Sequence, residues 1–317
     1  MGLLRDNATA RPDLSAVIME HMGQENDFIG TQIFPIFGTE KKAGTVPVVQ
    51  RESLTAKEDT KRSFGSKYNR GTIRIGEVSF ACEENGFEQP LDDGERALYK
   101  AAFSAELVSA KAAMNTVLIN QEYRIAQLLI DTSVFTGAAL YTDYSSAPWA
   151  TAASDVLLHV RTVKNKIRMN CGIEPNTLVI SKTVLEYLKS NTGIKDSIKY
   201  VKELTDEELN KALAALFGVQ FVRVGKAIYN SAKEGQTFSG SGIWSDTYAS
   251  LCVVSNDKEN LKDPSVGRTF LWTAENPENA LVEQYRDEPI KSDVFRSRQY
   301  TDEKLIDPYF GHLLKIA

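Results

Sequence analysis

Cysteine, histidine and proline are all scarce in this chain of 317 residues, which holds 3 Cys, 3 His and 10 Pro. The cysteines, Cys82, Cys171 and Cys252, are odd in number and far apart, so no disulfide framework is expected. They read as reduced, buried small hydrophobes of a protein made in the cytoplasm. His21, His159 and His312 each lack a second His or Cys at ligand spacing, which argues against a zinc site. No run approaches the roughly 18 uncharged apolar residues of a membrane span, so no membrane partner is expected. The opening Met-Gly-Leu-Leu-Arg-Asp has no signal-type apolar stretch, and Asp6 stands where a myristoylation motif wants Ser or Thr. A basic excess is missing too: 37 Lys+Arg face 42 Asp+Glu, for a net charge of −5, which argues against a dedicated nucleic-acid binder. With 42% hydrophobic residues the chain is too apolar for disorder, and its length suits about two domains.

One further absence is local. From Glu95 to Thr136 there is neither Gly nor Pro, while Ala is abundant. Tyr99, Phe103, Leu107, Ala110, Met114, Leu118, Ile125 and Leu129 follow steps of three and four, with Gln121 in the one polar gap. The spacing predicts one amphipathic helix of about 37 residues, roughly 55 Å long. That exceeds the roughly 50 Å breadth of a compact domain of this size. The large residues keep no strict heptad, and the alanines suit close packing against a sheet.

A second long element precedes it. Thr45 to Leu54 and Lys67 to Cys82 are rich in β-branched and alternating residues, with polar Thr55 to Ser66 between them. Together they predict a two-stranded hairpin with arms on the order of 40 Å, which needs something to lie on. Residues 41–74 carry nine bases (Lys41, Lys42, Arg51, Lys57, Lys61, Arg62, Lys67, Arg70, Arg74) against three acids (Glu52, Glu58, Asp59). Residues 83–95 then carry six acids (Glu83, Glu84, Glu88, Asp92, Asp93, Glu95) and no base. A charge run is usually a solvated face. A basic ribbon beside an acidic helix start on one chain also suits a ribbon from one subunit lying on its neighbour. Lys57, Lys61, Arg62, Lys67 and Arg70, with Glu83, Glu84, Glu88, Asp92 and Asp93, are therefore the candidate intersubunit residues.

The remainder reads as a compact α/β module over residues 150–260. Ser154 is placed to cap a helix that ends at Gly172, and Ser181 to cap the next. Thr205-Asp-Glu-Glu208 is a capping box, and Gly218 closes its helix. Thr177 to Ile180, Gln220 to Val224 and Ser250 to Val254 read as strands. Residues 269–317 are β-rich, and the long helix is their natural partner. Leu14 to Met19 is the one apolar segment of an N-terminal arm. Nothing catalytic rises above background. Gly225-Lys226-Ala227 lacks the rest of a phosphate loop, and Gly240-Ser-Gly242 lacks the nucleophile-elbow context and reads as a flexible loop. No catalytic, cofactor-binding or metal residue is assigned.

Gly172-Ile-Glu-Pro-Asn-Thr-Leu-Val-Ile180, Ser181 to Leu188, Ile198-Lys-Tyr200 and Leu213-Ala-Ala-Leu-Phe-Gly-Val219 occur in an order that resembles the major capsid proteins of tailed bacteriophages. Val222 to Asn230, Ile243-Trp244 and Ser292-Asp-Val-Phe-Arg-Ser-Arg298 continue the likeness, which is strongest over residues 170–300. These are packing and turn motifs, not catalytic ones.

The resemblance implies an α+β fold of the Hong Kong 97 type. Its parts would be an N-terminal arm (1–44), an E-loop hairpin (45–90), a peripheral domain with a spine helix (91–149), an axial α/β domain (150–260) and peripheral return strands (261–317). It implies a non-enzymatic subunit that assembles with itself, as hexamers and pentamers, into an icosahedral head in the host bacterial cytoplasm. The head would enclose double-stranded DNA through non-specific contacts. A portal protein and a decoration protein are the further partners implied. Only about 40 residues precede the hairpin, too few for the scaffolding region of the namesake. A separate scaffolding protein, and no N-terminal trimming, are expected. The namesake's Lys–Asn crosslink finds no matching Asn or Glu here, so Lys57, Lys61 and Lys67 read as surface lysines. An encapsulin-like compartment shell and a cytosolic α/β enzyme are the alternatives.

Overall fold

The computed structural model describes residues 9–11, 14, 28–72, 74–99, 104–198, 205–257, 261, 263–276 and 279–317. His21, Phe103, Tyr200 and residues 15–19 of the apolar arm segment lie outside them. The N-terminal half supplies β1 (Thr9–Ala10), β2 (Ile36–Thr39), β3 (Ala43–Val49), β4 (Ile75–Ala81) and β5 (Glu83–Asp92). Helices α1 (Asp93–Tyr99) and α2 (Ala105–Leu129) and strand β6 (Tyr141–Asp143) follow. The middle supplies α3 (Val156–Cys171), β7 (Thr177–Ser181), α4 (Lys182–Ser190), α5 (Thr192–Ile198), α6 (Asp206–Phe217) and β8 (Phe221–Gly225). Then come β9 (Ile228–Asn230), β10 (Gly240–Gly242), β11 (Tyr248–Cys252), β12 (Gly267–Trp272), β13 (Leu281–Asp287), β14 (Ser292–Leu305) and β15 (Gly311–Lys315).

Strand β14 is the axis of a six-stranded sheet. Strand β5 pairs with it from Ser292↔Asp92 to Thr301↔Glu83. Strands β13 and β12 lie end to end along its other edge, flanked in turn by β1 and β2. The five-stranded sheet runs β6-β15-β11-β7-β8, parallel at each end and antiparallel in the middle.

Helix α2 serves both sheets. Its first half packs Ala110, Met114 and Leu118 with Leu91, Val282 and Phe295 of the six-stranded sheet. Its last turns place Ile125, Ala126 and Leu129 in the large core of the five-stranded sheet, with Val160, Leu178, Leu213 and Leu251. From Ala110 to Leu129 the apolar stripe is therefore buried as its spacing predicts, while Leu107 is half-buried and the side chains of Tyr99 and Phe103 lie outside the described ones. Gln121, the polar gap, is buried and exchanges amide hydrogen bonds with Asn279 at 3.2 and 2.8 Å.

Several expectations need correction. The long helix is not continuous: Ser104 has extended backbone (φ −75°, ψ 97°), and the regular helix that follows has 25 residues, about 37 Å. Arg96 of α1 pairs with Glu106 at 3.0 Å and with Asp293 of β14. A single helix would hold positions 96 and 106 about 15 Å apart along its axis, so the bend is what lets them meet. At the other end Asp131 accepts the Ser133 N–H at 2.8 Å, a local turn that competes with further helix. Asp155, not Ser154, caps α3 by accepting from Leu158 N, while Ser154 donates to the Pro148 carbonyl at 2.6 Å. Gly240 to Gly242 is no loose loop but strand β10, paired with β9. The last strand, β15, joins the five-stranded sheet between β6 and β11, so that sheet draws on chain from outside residues 150–260. The Ser181 cap, the Thr205–Glu208 capping box and the left-handed glycines at 172 and 218 stand where the sequence predicts them.

Candidate assembly surface

Cys82 is the only residue between β4 and β5, so one extended run leads from the hairpin into the six-stranded sheet. The two hairpin strands pair from Ala43↔Ala81 to Val49↔Ile75. Seven residues give about 23 Å, shorter than the 40 Å expectation. At its base Phe80 stacks on Phe270 with centroids 4.8 Å apart, and Phe37 meets Phe270 edge-on at 6.0 Å. Cys82 is buried beside them, and the Ala81 N–H donates to Asp302 at 2.8 Å. Burial and the neighbouring Glu303 and Glu83 raise the Asp302 carboxyl above its ordinary value.

Beyond the ladder the chain changes character. Arg51–Leu54 is one helical turn, and the Arg51 guanidinium lies 3.3 Å over the Tyr309 ring of the same chain. Residues 55–72 are then exposed throughout and form no strand. They are held by local bonds. Asn69 Nδ2 donates to the Asp59 carbonyl at 2.7 Å across the two legs, and Ser66 N to the Ser63 carbonyl at 3.1 Å over the turn. Gly65 has φ 79°, the left-handed conformation that glycine adopts without a Cβ penalty. Arg62 lies 4.4 Å over the Tyr68 ring and donates to the Ser66 carbonyl at 2.8 Å. Phe64 and Tyr68, both large aromatic residues, stand in solvent. Lys57, Lys61, Lys67 and Arg70 have no ion-pair partner among the described residues.

The acidic candidates are placed differently from the expectation. Glu83, Glu84, Glu88 and Asp92 lie on strand β5, not at a helix start; only Asp93 and Glu95 begin a helix. Most are used within the chain. Glu88 accepts from Arg296 Nε at 2.7 Å and from the Tyr285 hydroxyl at 3.1 Å. Arg286 grips Asp93 with both terminal nitrogens, at 2.7 and 2.6 Å, holding its carboxyl below the usual range. Asp92 accepts the Gly94 N–H at 2.7 Å, and Glu84 is hydrogen-bonded to Tyr300. No hydrogen bond or ion pair joins these acids to Lys57, Lys61, Arg62, Lys67 or Arg70 among the described residues. Glu83 instead lines a cleft of about 730 Å³, with Arg124, Asp131, Asp302 and Glu303. There Arg124 donates to Glu303 at 2.8 and 3.0 Å.

One buried acid escaped sequence reading. Glu122 of α2 accepts from Ile29 N at 3.0 Å, Gly30 N at 2.7 Å and Trp244 Nε1 at 2.8 Å. Burial raises its carboxyl pKa, and the three donors oppose that. A Cβ on Gly30 would stand 2.5 Å from its Oε2, so the arm approaches as closely as glycine allows. The signal was available only as a lone acid on the inner side of the helix. The two described histidines are structural. His312 is buried between Thr142 Oγ1 (2.8 Å) and the Ala139 carbonyl (3.0 Å), and burial lowers its pKa to about 4. His159 accepts from the Trp149 indole at 3.2 Å and stacks on Tyr144. No group of three or more His, Cys, Asp or Glu that could hold a metal occurs among the described residues. Nor is any helix there long and apolar enough to cross a membrane.

No protein-family model matches the chain. The chain is 25% identical over 302 residues to the "Major capsid protein" of Burkholderia phage BcepMu, covering 93% of this chain and 94% of that protein. Among solved structures it is similar to a phage-related protein from Bordetella bronchiseptica, with TM-score 0.71, 23% identity, and 98% and 99% of the two chains covered. It is also similar to the capsid of cyanophage P-SCSP1u, with TM-score 0.59, 11% identity, and 100% and 91% covered. The likeness is one of fold, and the α+β architecture is that of phage capsid proteins.

Proposed function

We propose that this chain is a structural major capsid protein, which tiles the icosahedral head of a tailed phage as hexamers and pentamers around packaged double-stranded DNA. The observation that carries the reading is the hairpin. Its base is locked into the six-stranded sheet by Phe80 and Phe270, while residues 55–72 leave the core with exposed Phe64 and Tyr68 and with cations that have no ion-pair partner among the described residues. A lone subunit gains nothing from such a tip; a neighbour gives it a surface to cover. Likeness in fold to the cyanophage capsid over nearly the whole chain, and 25% identity to a phage major capsid protein, support the same role.

In this reading residues 45–90 are the E-loop and α2 the spine helix. The five-stranded sheet with α3 to α6 forms the axial domain, and β12 to β14 complete the peripheral domain. Lys57, Lys61, Arg62, Lys67 and Arg70 contact the neighbour. Of the acids, Glu83 in its cleft is the best-placed recipient, because Glu88 and Asp93 already hold arginines. A separate scaffolding protein, a portal and a decoration protein complete the head, assembled in the host cytoplasm. No catalytic role is assigned. Particles recovered by sedimentation from a phage-producing culture test the reading: an absorbance ratio dominated by DNA supports a head. A ratio of protein alone in every particle, with enclosed cargo enzyme, would replace it with a compartment shell.

A further inference from the structure

Among the described residues, the half-buried arginines are, with one exception, matched to acceptors. Arg124 holds Glu303, Arg296 holds Glu88, and Arg298 holds Glu283 at 2.7 Å. The fully buried Arg268 likewise donates to the carbonyls of Asp257 and Asp263. Arg223 is the exception. It sits on β8, the edge strand of the five-stranded sheet, opposite Val179. Its guanidinium lies 4.5 Å over the Phe221 ring, and it has no hydrogen bond or ion pair among the described residues. It faces a recess of about 230 Å³ between that sheet and the Gly30–Ile33 turn, lined also by Thr31, Gln32, Thr177 and Asn256. Among the described residues no Asp or Glu lines the recess.

A cation taken partly out of water without a counter-charge is costly, and burial indeed lowers the Arg223 pKa. Hydroxyl and amide neighbours can help bind an acceptor, but they cannot neutralise the charge. The aromatic face beneath holds the guanidinium plane in place, which suits a planar, two-oxygen partner. We infer that the Arg223 recess receives a carboxylate side chain from a second copy of this chain, so that its ion pair is completed only on assembly. The inference rests on the shell reading above. A second copy is the favoured source because the chain carries acids in excess, 42 against 37 bases, and a shell presses copies together.

The test compares full-length wild type, R223Q and R223K. Wild type should form particles, and a map of them should show an Asp or Glu oxygen of the neighbouring copy about 3 Å from the Arg223 guanidinium. R223Q should raise the protein concentration needed for assembly by about tenfold or more, since an interfacial charge is left unpaired, and R223K should recover part of this. Urea unfolding of unassembled subunits should be no weaker for R223Q than for wild type, which a purely structural role would not give. Particles that assemble equally well with R223Q, or a map in which the recess is solvent-filled or meets nucleic acid, overturn this inference alone. A wild-type chain that forms no particle overturns the shell reading and this inference with it.

Discussion

Trp244 donates its indole N–H to Glu122 across 2.8 Å, and this bond ties helix α2 to the loop between β10 and β11. The same carboxylate takes the backbone N–H groups of Ile29 and Gly30, so the segment before β2, helix α2 and the loop leading into β11 meet on one buried acid. Gly225 lies against the indole so closely that a Cβ there would stand 2.0 Å from it. E122A leaves three buried donors without an acceptor and should cost about 3 kcal/mol in urea unfolding. G225A should also destabilise by pushing the indole off the carboxylate. A loss under about 0.5 kcal/mol for E122A, the scale of a neutral surface change, would contradict a structural role for this junction.

His312 makes the fold sensitive to acid. Its pKa is about 4 in the folded chain, against about 6.5 when unfolded, so between these values the unfolded chain binds the extra proton. The stability it contributes is present above pH 6.5 and is lost as pH falls toward 4. Lowering pH from 7 to 5 should remove about 2 kcal/mol of stability through this group. H312Q should be less stable at pH 7 but should lose less over the same interval. Equal pH slopes for the two proteins would refute it.

At the hairpin base, F80A removes the ring stacked on Phe270 and should cost about 3 kcal/mol. Amide exchange should rise in 43–49 and 75–81 before it rises in β14. Exchange that rises equally in both segments would show that the hairpin has no separate anchorage.

Reversing charge at Lys57, Lys61 and Arg62 should leave the monomer's unfolding within about 0.5 kcal/mol, because all three side chains are exposed. Sedimentation should nevertheless show assembly impaired. Wild-type assembly by the triple variant would remove these cations from the contact.

Features written in a few adjacent residues were legible in the sequence. The Thr205–Glu208 box, the Ser181 cap and the glycines at 172 and 218 depend on local backbone geometry, and all were found. The stripe on α2 was also legible, because its 3.6-residue period survives whatever the helix packs on. Its break at Ser104 was not, since nothing in an alanine-rich run without Gly or Pro reveals that Arg96 reaches Asp293 nearly two hundred residues away. Strand β5 hid for a related reason. Its acids read as solvated charge until Arg296 and Tyr285, on β14 and β13, arrive to hold Glu88. Glu122 and Arg223 are defined by distant residues: three buried donors converge on the first, and no acceptor among the described residues reaches the second.

Electron microscopy of the purified full-length chain tests shell assembly most directly. A capsid subunit gives closed icosahedral particles, or at least rings of five and six copies. A chain that remains monomeric at every concentration would contradict the proposed function.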